Sequence, residues 1–363
     1  MEKKFFFFDS NWNPLFRWQF PILILLVCSL FLYACGESKP PRKSPSFQHF
    51  TQKDGLSSEM VYAIAVQGEQ VWFGTYGGGA TLYDQGSNIW KVYTTKGEPM
   101  EQVDDGDSIK WKNLPSHNHV SFILADEGRI WFGTYFYGFG GGGISYYAPQ
   151  PSPHWKKFNT NNGRAKKVVS MALDGEFLWV GSEKGLNLFD KKMEGWKDFY
   201  SIENGLSGNF VNTLLAEPDF LWIGTNNGIS RFEKDKRTWR TFSQEEGLTE
   251  IEIKSLVKVG NRIWAGSVGG TLFEYDPASD SWKKIESTDP LKSGAIHSIT
   301  VTQERIIVCR DNGVSLYHLS KGQWESLTAS EGLLSNTVFC AAEDKDSIWF
   351  GTDKGVSRLI LSP

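Results

Sequence analysis

One short motif recurs along most of the chain and constrains its fold more than any other feature. The motif is an apolar residue, Trp, any residue, Gly, and then Thr or Ser. Its six clear copies are VWFGT at 71–75, IWFGT at 130–134, LWVGS at 178–182, LWIGT at 221–225, IWAGS at 263–267 and IWFGT at 348–352. A seventh, degenerate copy is IIVCR at 306–310, and the successive steps are 59, 48, 43, 42, 43 and 42 residues. A unit of about 42 residues is typical of the four-stranded blade of a β-propeller.

Each unit predicts four strands. An apolar first strand, as at 211–214, precedes the Trp strand, and a glycine turn such as 184–185 leads into a third strand that closes on an aromatic or apolar residue. The fourth strand of six units carries a second tryptophan: Trp90, Trp155, Trp196, Trp239, Trp282 and Trp324. Twelve of the fifteen tryptophans therefore occupy two positions of the blade, and we interpret them as core residues between twisted sheets.

The ends of the chain predict how the ring closes. The seventh unit stops at Pro363 after its third strand, whereas Phe47 and Phe50 have the spacing of a fourth strand and precede a similar Asp-Gly-Leu turn. Pairing this N-terminal strand with the last unit would leave no unpaired sheet edge at the junction. The sequence thus predicts an all-β, seven-bladed propeller over residues 47–363, closed by its N-terminal strand.

Composition excludes several other classes. Aromatic residues make up 14% of the chain, and there are 37 glycines, which fits short strands and turns rather than long helices. The formal net charge of -4 and the absence of a dense basic stretch argue against a nucleic-acid partner.

The first 34 residues have the features of an export signal peptide. Lys3, Lys4 and Arg17 precede a short apolar stretch at 21–33, which is too short to span a bilayer as a helix. The sequence LYACG at 32–36 resembles a bacterial lipobox, which implies lipidation of Cys35. An uncleaved anchor, or an ordinary signal with an incidental cysteine, is the alternative.

Residues 35–46 are polar and proline-rich, so we expect a tether. The expected location is extracytoplasmic, on a bacterial membrane, with the outer membrane favoured by Gly36.

The run DGLSSEMVYAI, followed by VWFGT and GGATLYD, resembles the two-component regulator propeller repeat of extracytoplasmic sensor regions in bacterial hybrid histidine kinases. The resemblance covers about residues 47–361. In those sensors an immunoglobulin-like module, a membrane helix and a kinase follow the propeller, and we expect a stand-alone lipoprotein here. The resemblance therefore implies the fold and a tendency to bind ligands or partners, not phosphorylation.

Two elaborated loops indicate where a binding site would lie. The connection from Tyr93 to Val120 takes 27 residues, against 10 to 12 in most units, and the loop in the next unit, YFYGFGGGG, is also long. Both loops are expected on the same face of the propeller, and loops on a rigid scaffold commonly carry function. The candidate ligand or partner contacts on this face are Trp111, His117, Asn118, His119, Tyr135, Phe136, Tyr137, Phe139 and Asn209. The alternative is that the aromatic residues plug the channel.

Other signals are weaker. Gly138, Gly140 and Gly143 match a phosphate-binding pattern, but no helix is predicted to follow them. The acidic turn at 104–107 lacks the spacing of a calcium loop, and His117 and His119 lack a third zinc ligand nearby in sequence, although His297 could reach the same face. We therefore predict no metal and no cofactor.

Polar residues before the first strands are expected to ring the channel mouth, and hydrogen bonding to the turn backbone is their favoured role. They are Glu59, Asn118, Lys166, Asn209 and Asn336. Cys309 and Cys340 could form one disulfide, but buried free thiols are the favoured interpretation.

Three functions remain open at this point. The favoured one is a binding or sensing propeller for a glycan, another small ligand or an envelope protein, without catalysis. The second is a scaffold in an envelope complex, which would use the same face. The third is a lyase resembling streptogramin lyase, whose blade phrase ends in Trp-Phe-Thr-Glu. Here Gly replaces that Thr and no Glu follows, and the acid–base candidates are limited to His117 or His119 with Glu101 or Asp104.

Overall fold

The computed structural model describes residues 46–95, 115–135, 142–158, 160–286, 289–291 and 293–361. Within these ranges the chain forms seven four-stranded antiparallel sheets arranged as blades. Two short 3₁₀ helices, Gln52–Asp54 and Ile202–Asn204, lie in the turns that precede first strands. The predicted seven-bladed propeller is therefore confirmed.

The strands follow the chain in groups of four. Blade 1 contains β2 (Val61–Gln67), β3 (Gln70–Thr75), β4 (Gly79–Asp84) and β5 (Ile89–Tyr93). Blade 2 contains β6 (Val120–Asp126), β7 (Arg129–Thr134), β8 (Gly143–Ala148) and β9 (His154–Lys157). Blade 3 contains β10 (Val168–Asp174), β11 (Phe177–Ser182), β12 (Gly185–Asp190) and β13 (Gly195–Tyr200). Blade 4 contains β14 (Val211–Ala216), β15 (Phe220–Thr225), β16 (Gly228–Glu233) and β17 (Thr238–Phe242).

The last three blades follow the same order. Blade 5 contains β18 (Ile253–Val259), β19 (Arg262–Ser267), β20 (Leu272–Asp276) and β21 (Ser281–Lys284). Blade 6 contains β22 (Ile296–Val301), β23 (Arg305–Arg310), β24 (Gly313–His318) and β25 (Gln323–Leu327). Blade 7 contains β26 (Val338–Glu343), β27 (Ser347–Thr352) and β28 (Gly355–Ile360), and it is completed by β1 (Ser46–Phe50).

The first described strand closes the ring. β1 pairs antiparallel with β28, so that Phe47 lies opposite Leu359 and Phe50 lies opposite Val356. Phe50 also packs 5.6 Å from Trp349 of blade 7 and 5.6 Å from Tyr83 of blade 1, measured between ring centres. The predicted closure by the segment around Phe47 and Phe50 is confirmed, and this strand joins the first blade to the last.

The motif tryptophans fill the spaces between blades. Trp72 of blade 1 is fully buried and packs 5.2 Å from Tyr147 and 5.3 Å from Phe132, both in blade 2. In the same way Trp222 of blade 4 lies 4.7 Å from Tyr275 of blade 5. Each motif tryptophan thus belongs to the hydrophobic core that its blade shares with the next, as predicted for core residues.

The motif glycine makes room for the neighbouring blade. A Cβ atom on Gly181 would lie 2.6 Å from the side chain of Val211. Val211 begins the first strand of blade 4, and we call the first strand of each blade its inner strand. Gly133 and Val168 have the same relation, again at 2.6 Å. In these blades the β-branched residue that begins the next inner strand therefore packs where a side chain in place of the motif glycine would collide.

Carboxylates at the ends of inner strands form a second kind of link. The indole nitrogen of Trp179 donates to Asp174 at 2.9 Å, and Lys234 of blade 4 reaches the same carboxylate at 2.7 Å. Trp131 and Lys191 repeat this arrangement around Asp126, at 3.1 and 2.9 Å. One carboxylate thus holds a tryptophan of its own blade and a lysine of the next, in surroundings that are mostly buried.

Blade 6 departs from the motif at three positions, the first of which has Ile307 in place of the tryptophan. Arg310 replaces the usual Thr or Ser, and its buried guanidinium donates to Asp289 at 3.0 Å and to the carbonyl of Gly270 at 3.0 Å. Cys309 replaces the glycine, and burial raises the pKa of its thiol to about 12. Cys309 and Cys340 are both free thiols, as favoured from the sequence.

The glycine packing predicts a large effect from one methyl group. Gly181→Ala is expected to lower the free energy of unfolding by about 3 kcal/mol, because its Cβ would collide with Val211 and Ser170. Urea denaturation followed by tryptophan fluorescence measures this difference. Gly86→Ala is the matched control, since its Cβ would meet no atom closer than 3.7 Å. Equal stability of the two variants would contradict the packing role of the motif glycine.

The carboxylate link predicts a second effect. Asp174→Ala is expected to cost about 2 kcal/mol in the same assay, because the indole of Trp179 loses its acceptor and Lys234 loses its counterion. Asp219→Ala, at an exposed turn position of blade 4, is expected to change stability by less than about 0.5 kcal/mol. A neutral result for Asp174→Ala would show that the link contributes nothing to holding blades 3 and 4 together.

Candidate functional site

The inner strands share a bulge at the same end of the central channel. In each blade one residue near the start of the first strand is left out of the pairing with the second strand; in blade 1, for example, the register shifts between Val61 and Ala63. Such bulges re-aim the extra side chain. The bulge residues are Tyr62, Ser121, Val169, Asn212, Lys254, His297 and Phe339. Because consecutive inner strands contact one another around the ring, these seven positions surround the channel mouth.

Aromatic rings at the mouth form a continuous contact series across four blades. The ring centre of Tyr62 lies 4.5 Å from that of Phe339 in blade 7 and 5.7 Å from that of His119 in blade 2. Phe339 in turn lies 5.3 Å from His297 of blade 6. Such distances are those of favourable aromatic pairs, so the rings stabilise one another in place.

A second ring of residues lies just outside the bulge residues. It consists of the residue that follows each second strand: Tyr76, Tyr135, Glu183, Asn226, Val268, Asp311 and Asp353. Tyr76 packs edge-on against His119 at 4.2 Å, and His119 lies 5.6 Å from Tyr135. Tyr76 is 46% exposed, so the aromatic series is open to solvent at this point.

The histidines of the mouth are neutral near neutral pH. Burial, together with the nearby His117, lowers the pKa of His119 to about 4. The backbone N–H of His119 donates to Nδ1 of His117 at 3.1 Å, and burial lowers the pKa of His117 as well. Burial also lowers the pKa of His297, although the charge of Asp311 acts in the opposite direction.

The other half of the mouth is polar and internally neutralised. Lys167 pairs with Glu183 at 2.6 Å, and Lys254 pairs with Glu252 at 3.0 Å. Lys254 also donates to Oδ1 of Asn212 at 3.1 Å. The mouth therefore has an aromatic sector in blades 6, 7, 1 and 2, and a paired-charge sector in blades 3, 4 and 5.

Three buried polar atoms in these two rings lack a hydrogen-bond partner among the described residues. They are Nδ2 of Asn212, Nε2 of His297 and Oδ1 of Asp353. Asn212 is only 6% exposed. Buried polar atoms in folded proteins nearly always have a hydrogen-bond partner. These three atoms therefore give the mouth donor and acceptor atoms that no described residue uses.

The structure brings some of the predicted site residues together. His119 and Tyr135 lie in the aromatic series, with His117 beside them. Asn118 and Asn209 use their side-chain oxygens to stabilise turns: each accepts from a backbone N–H, that of Thr95 at 2.5 Å and that of Ile202 at 2.9 Å. As ligand contacts, all five stay predictions. Cys35, Trp111, Phe136, Tyr137 and Phe139 lie outside the described residues.

Sequence reasoning missed three of the aromatic residues at the channel mouth. Tyr62, Tyr76 and Phe339 belong to regular blades rather than to elaborated loops, and so they attracted no notice. Aligning the seven units on their motif tryptophans and comparing two columns, the second residue of the first strand and the residue after the second strand, would have found them.

Two cavities lie elsewhere. One, of about 760 Å³, opens at the other end of the channel beside Ile64, Leu124, Val301 and Ala341. The other, of about 540 Å³, is a groove between blades 3 and 4 whose polar residues are largely engaged with one another, as in the pair of Asp174 and Lys234. In neither cavity do the described residues combine open aromatic rings with unpartnered polar atoms, which leaves the channel mouth as the strongest candidate.

Searches for a metal centre and for a membrane-spanning helix gave no candidate in the described ranges. No group of three or more His, Cys, Asp or Glu side chains there could hold a metal ion. The helices of the same ranges are too short to cross a membrane.

Solved structures share the fold. The extracellular domain of BT3049 from B. thetaiotaomicron, assigned to the hybrid two-component systems, is 22% identical with a TM-score of 0.70, and the match covers 87% of this chain and 41% of that one. The extracellular domain of BT4673 from the same organism is 20% identical with a TM-score of 0.64, covering 87% and 40%. PorZ, a surface component of the type-IX secretion system of Porphyromonas gingivalis, is 16% identical with a TM-score of 0.61, covering 84% and 46%.

These likenesses concern the fold alone, and the chain spans less than half the length of each of these three proteins. A comparison with curated proteins gave no match. Residues 332–354, which comprise a turn, β26 and β27 of blade 7, match the family described as two component regulator propeller. This match confirms the resemblance to the two-component regulator propeller repeat over those residues of the seventh blade, in a chain that forms a seven-bladed propeller.

Proposed function

We propose that this chain is a membrane-anchored, extracytoplasmic propeller that binds a glycan or another small ligand at its channel mouth without catalysing a reaction. The observation that carries the proposal is the open aromatic series of Tyr76, Tyr62 and Phe339, next to polar atoms without partners. Aromatic faces beside a few convergent polar groups are the usual composition of a site for small ligands.

Rigidity supports binding at this position. Tyr62 and Phe339 project from bulges in inner strands whose neighbours are fully buried, such as Val61 and Val338. A contact surface on strands loses little conformational freedom when a ligand binds, so less of the interaction energy is spent on ordering. The seven-bladed ring thus presents a preformed concave surface.

The extracytoplasmic location is supported from two directions. The sequence up to Cys35 resembles a lipoprotein signal, and residues 35–46 resemble a tether. Two of the structures with the same fold are extracellular domains of proteins assigned to signalling systems. We infer from both that the propeller is held outside the cytoplasm by a lipid on Cys35, with the outer membrane as its proposed site.

A scaffold role is the second candidate. PorZ, whose fold is similar, is a surface component of a secretion system, and the same mouth could receive an envelope protein instead of a small ligand. A lyase is less well supported, because His119 is neutral and packed among aromatic rings, and its pKa of about 4 makes it a weak base.

The proposed site predicts a ligand-dependent gain in thermal stability. A saccharide from a panel of neutral mono- and disaccharides, supplied at about a hundred times its dissociation constant, should raise the melting temperature of the purified protein by about 3–5 °C. Tyr76→Ala should abolish that gain, because Tyr76 is the most exposed ring of the series. Differential scanning fluorimetry measures the shift.

Met193→Ala provides the control. Met193 is 77% exposed and lies in the turn between β12 and β13, at the opposite face of the propeller, so this variant should keep the full shift. If no saccharide shifts the wild type, or if Tyr76→Ala responds like the wild type, glycan binding through Tyr76 is wrong. An envelope protein that co-purifies with the wild type but not with Tyr76→Ala would favour the scaffold role.

A further inference from the structure

The two rings of mouth residues are not mixed around the circle but divided into sectors. In the outer ring, blades 6, 7, 1 and 2 contribute Asp311, Asp353, Tyr76 and Tyr135 in that order. In the bulge ring, blades 6, 7 and 1 contribute His297, Phe339 and Tyr62. Two carboxylates therefore stand next to a continuous group of aromatic rings, which we call the aromatic–acidic sector.

The sector has an excess of negative charge. Asp311 and Asp353 form no ion pair with any Lys, Arg or His of the described residues, whereas Glu183 and Glu252 in the other sector each pair with a lysine. His119 and His297 supply no compensating charge near neutral pH, because burial keeps both imidazoles neutral. Among the described residues of the two rings, the two carboxylates without an ion pair, Asp311 and Asp353, both lie on the aromatic side.

One of these carboxylates also lacks a hydrogen-bond donor. Oδ1 of Asp353 is buried and has no partner among the described residues. A buried carboxylate oxygen without a donor or a counterion is costly, and a cation that donates hydrogen bonds would relieve both deficits. A neutral hydroxyl group would relieve only the first.

One ammonium group of the protein is already held between an aromatic ring and a carboxylate. In the adjoining part of the mouth, the ammonium group of Lys167 lies 5.4 Å from the ring centre of Tyr135 and 2.6 Å from Glu183. An aromatic face and a carboxylate together hold an ammonium group there. Tyr76 and Asp353 supply the same two components in the aromatic–acidic sector, and Tyr76 is half exposed to solvent.

We infer that the aromatic–acidic sector recognises an organic ammonium group of the ligand, an inference that rests on the proposed binding function and specifies its chemistry. The ring faces attract the cation, and Asp353 accepts its hydrogen bonds. The ligand class is therefore an organic amine.

The test compares two probes that share a butyl chain and differ in their head group, one a cationic ammonium and the other a neutral hydroxyl. Titrations of the purified full chain with n-butylammonium chloride and with n-butanol, followed by NMR, should give an affinity about tenfold higher for the ammonium compound. Raising the ionic strength should weaken the first interaction and leave the second unchanged. Equal affinities for the two probes would overturn the inference without any mutation, so the test does not depend on a variant that folds.

Variants assign the effect to the sector. Asp353→Asn should lower the affinity for n-butylammonium about tenfold and leave that for n-butanol unchanged. Asp346→Asn is the matched control, because Asp346 is an exposed residue of the same blade at the opposite end of the channel. An unchanged affinity in Asp353→Asn, or an equal loss in Asp346→Asn, would contradict the assignment; Asp311→Asn repeats the comparison if Asp353→Asn is unstable.

The outcomes separate this inference from the proposed function. If neutral saccharides bind through Tyr76 and n-butylammonium does not bind, the ammonium inference fails and the proposed function stands. If neither class of probe binds the wild type, both fail. If n-butylammonium binds and its affinity depends on Asp353, the inference is supported whether or not a neutral saccharide binds.

Discussion

The pairing of β1 with β28 is the interaction on which the rest of the structure depends. Each blade buries its motif tryptophan, or Ile307 in blade 6, against the next blade, so an open series of seven would leave one face of blade 7 and one face of blade 1 exposed. Phe50 contacts both Trp349 and Tyr83, and thus joins the first blade to the last as well as completing a sheet. Closure removes two sheet edges and two apolar faces together, which is why the ring can do without a disulfide.

The same closure gives the channel mouth its character. Because the inner strands are packed on both sides by neighbours, the bulge lets a side chain turn toward the mouth without disturbing that packing. All seven blades have the bulge, but the residue that occupies it is free to vary, from Tyr62 to Lys254. The seven blades therefore have the same backbone at the mouth but different side chains. Aromatic rings and the carboxylates without an ion pair among the described residues lie on one side of the mouth, and the paired charges lie on the other.

Much of the fold could be predicted from the sequence, because each repeat unit places the same residue types where neighbouring blades must pack. The motif glycine is needed where the next inner strand packs, and the tryptophan where two blades meet, so seven copies specify seven blades. The candidate binding surface was harder to predict, because loop length drew attention to Trp111 and Tyr137, whereas Tyr62 and Phe339 lie within blade strands. Their orientation depends on a register shift in strand pairing, which no single repeat reveals. Of the predicted contacts, His119 and Tyr135 do join the aromatic series.

The most direct test of this account removes the closing strand alone. The reference is a chain that begins at Ser46, and the shortened chain begins at Gly55 and so lacks β1 while retaining every other strand. Calorimetry of the two should show a melting temperature lower by at least about 10 °C, or loss of a single cooperative transition, when β1 is absent, because blade 7 loses its fourth strand and the packing of Phe50 against Tyr83 of blade 1. Identical melting temperatures and equally sharp transitions would contradict closure by β1, and with it the arrangement of the channel mouth.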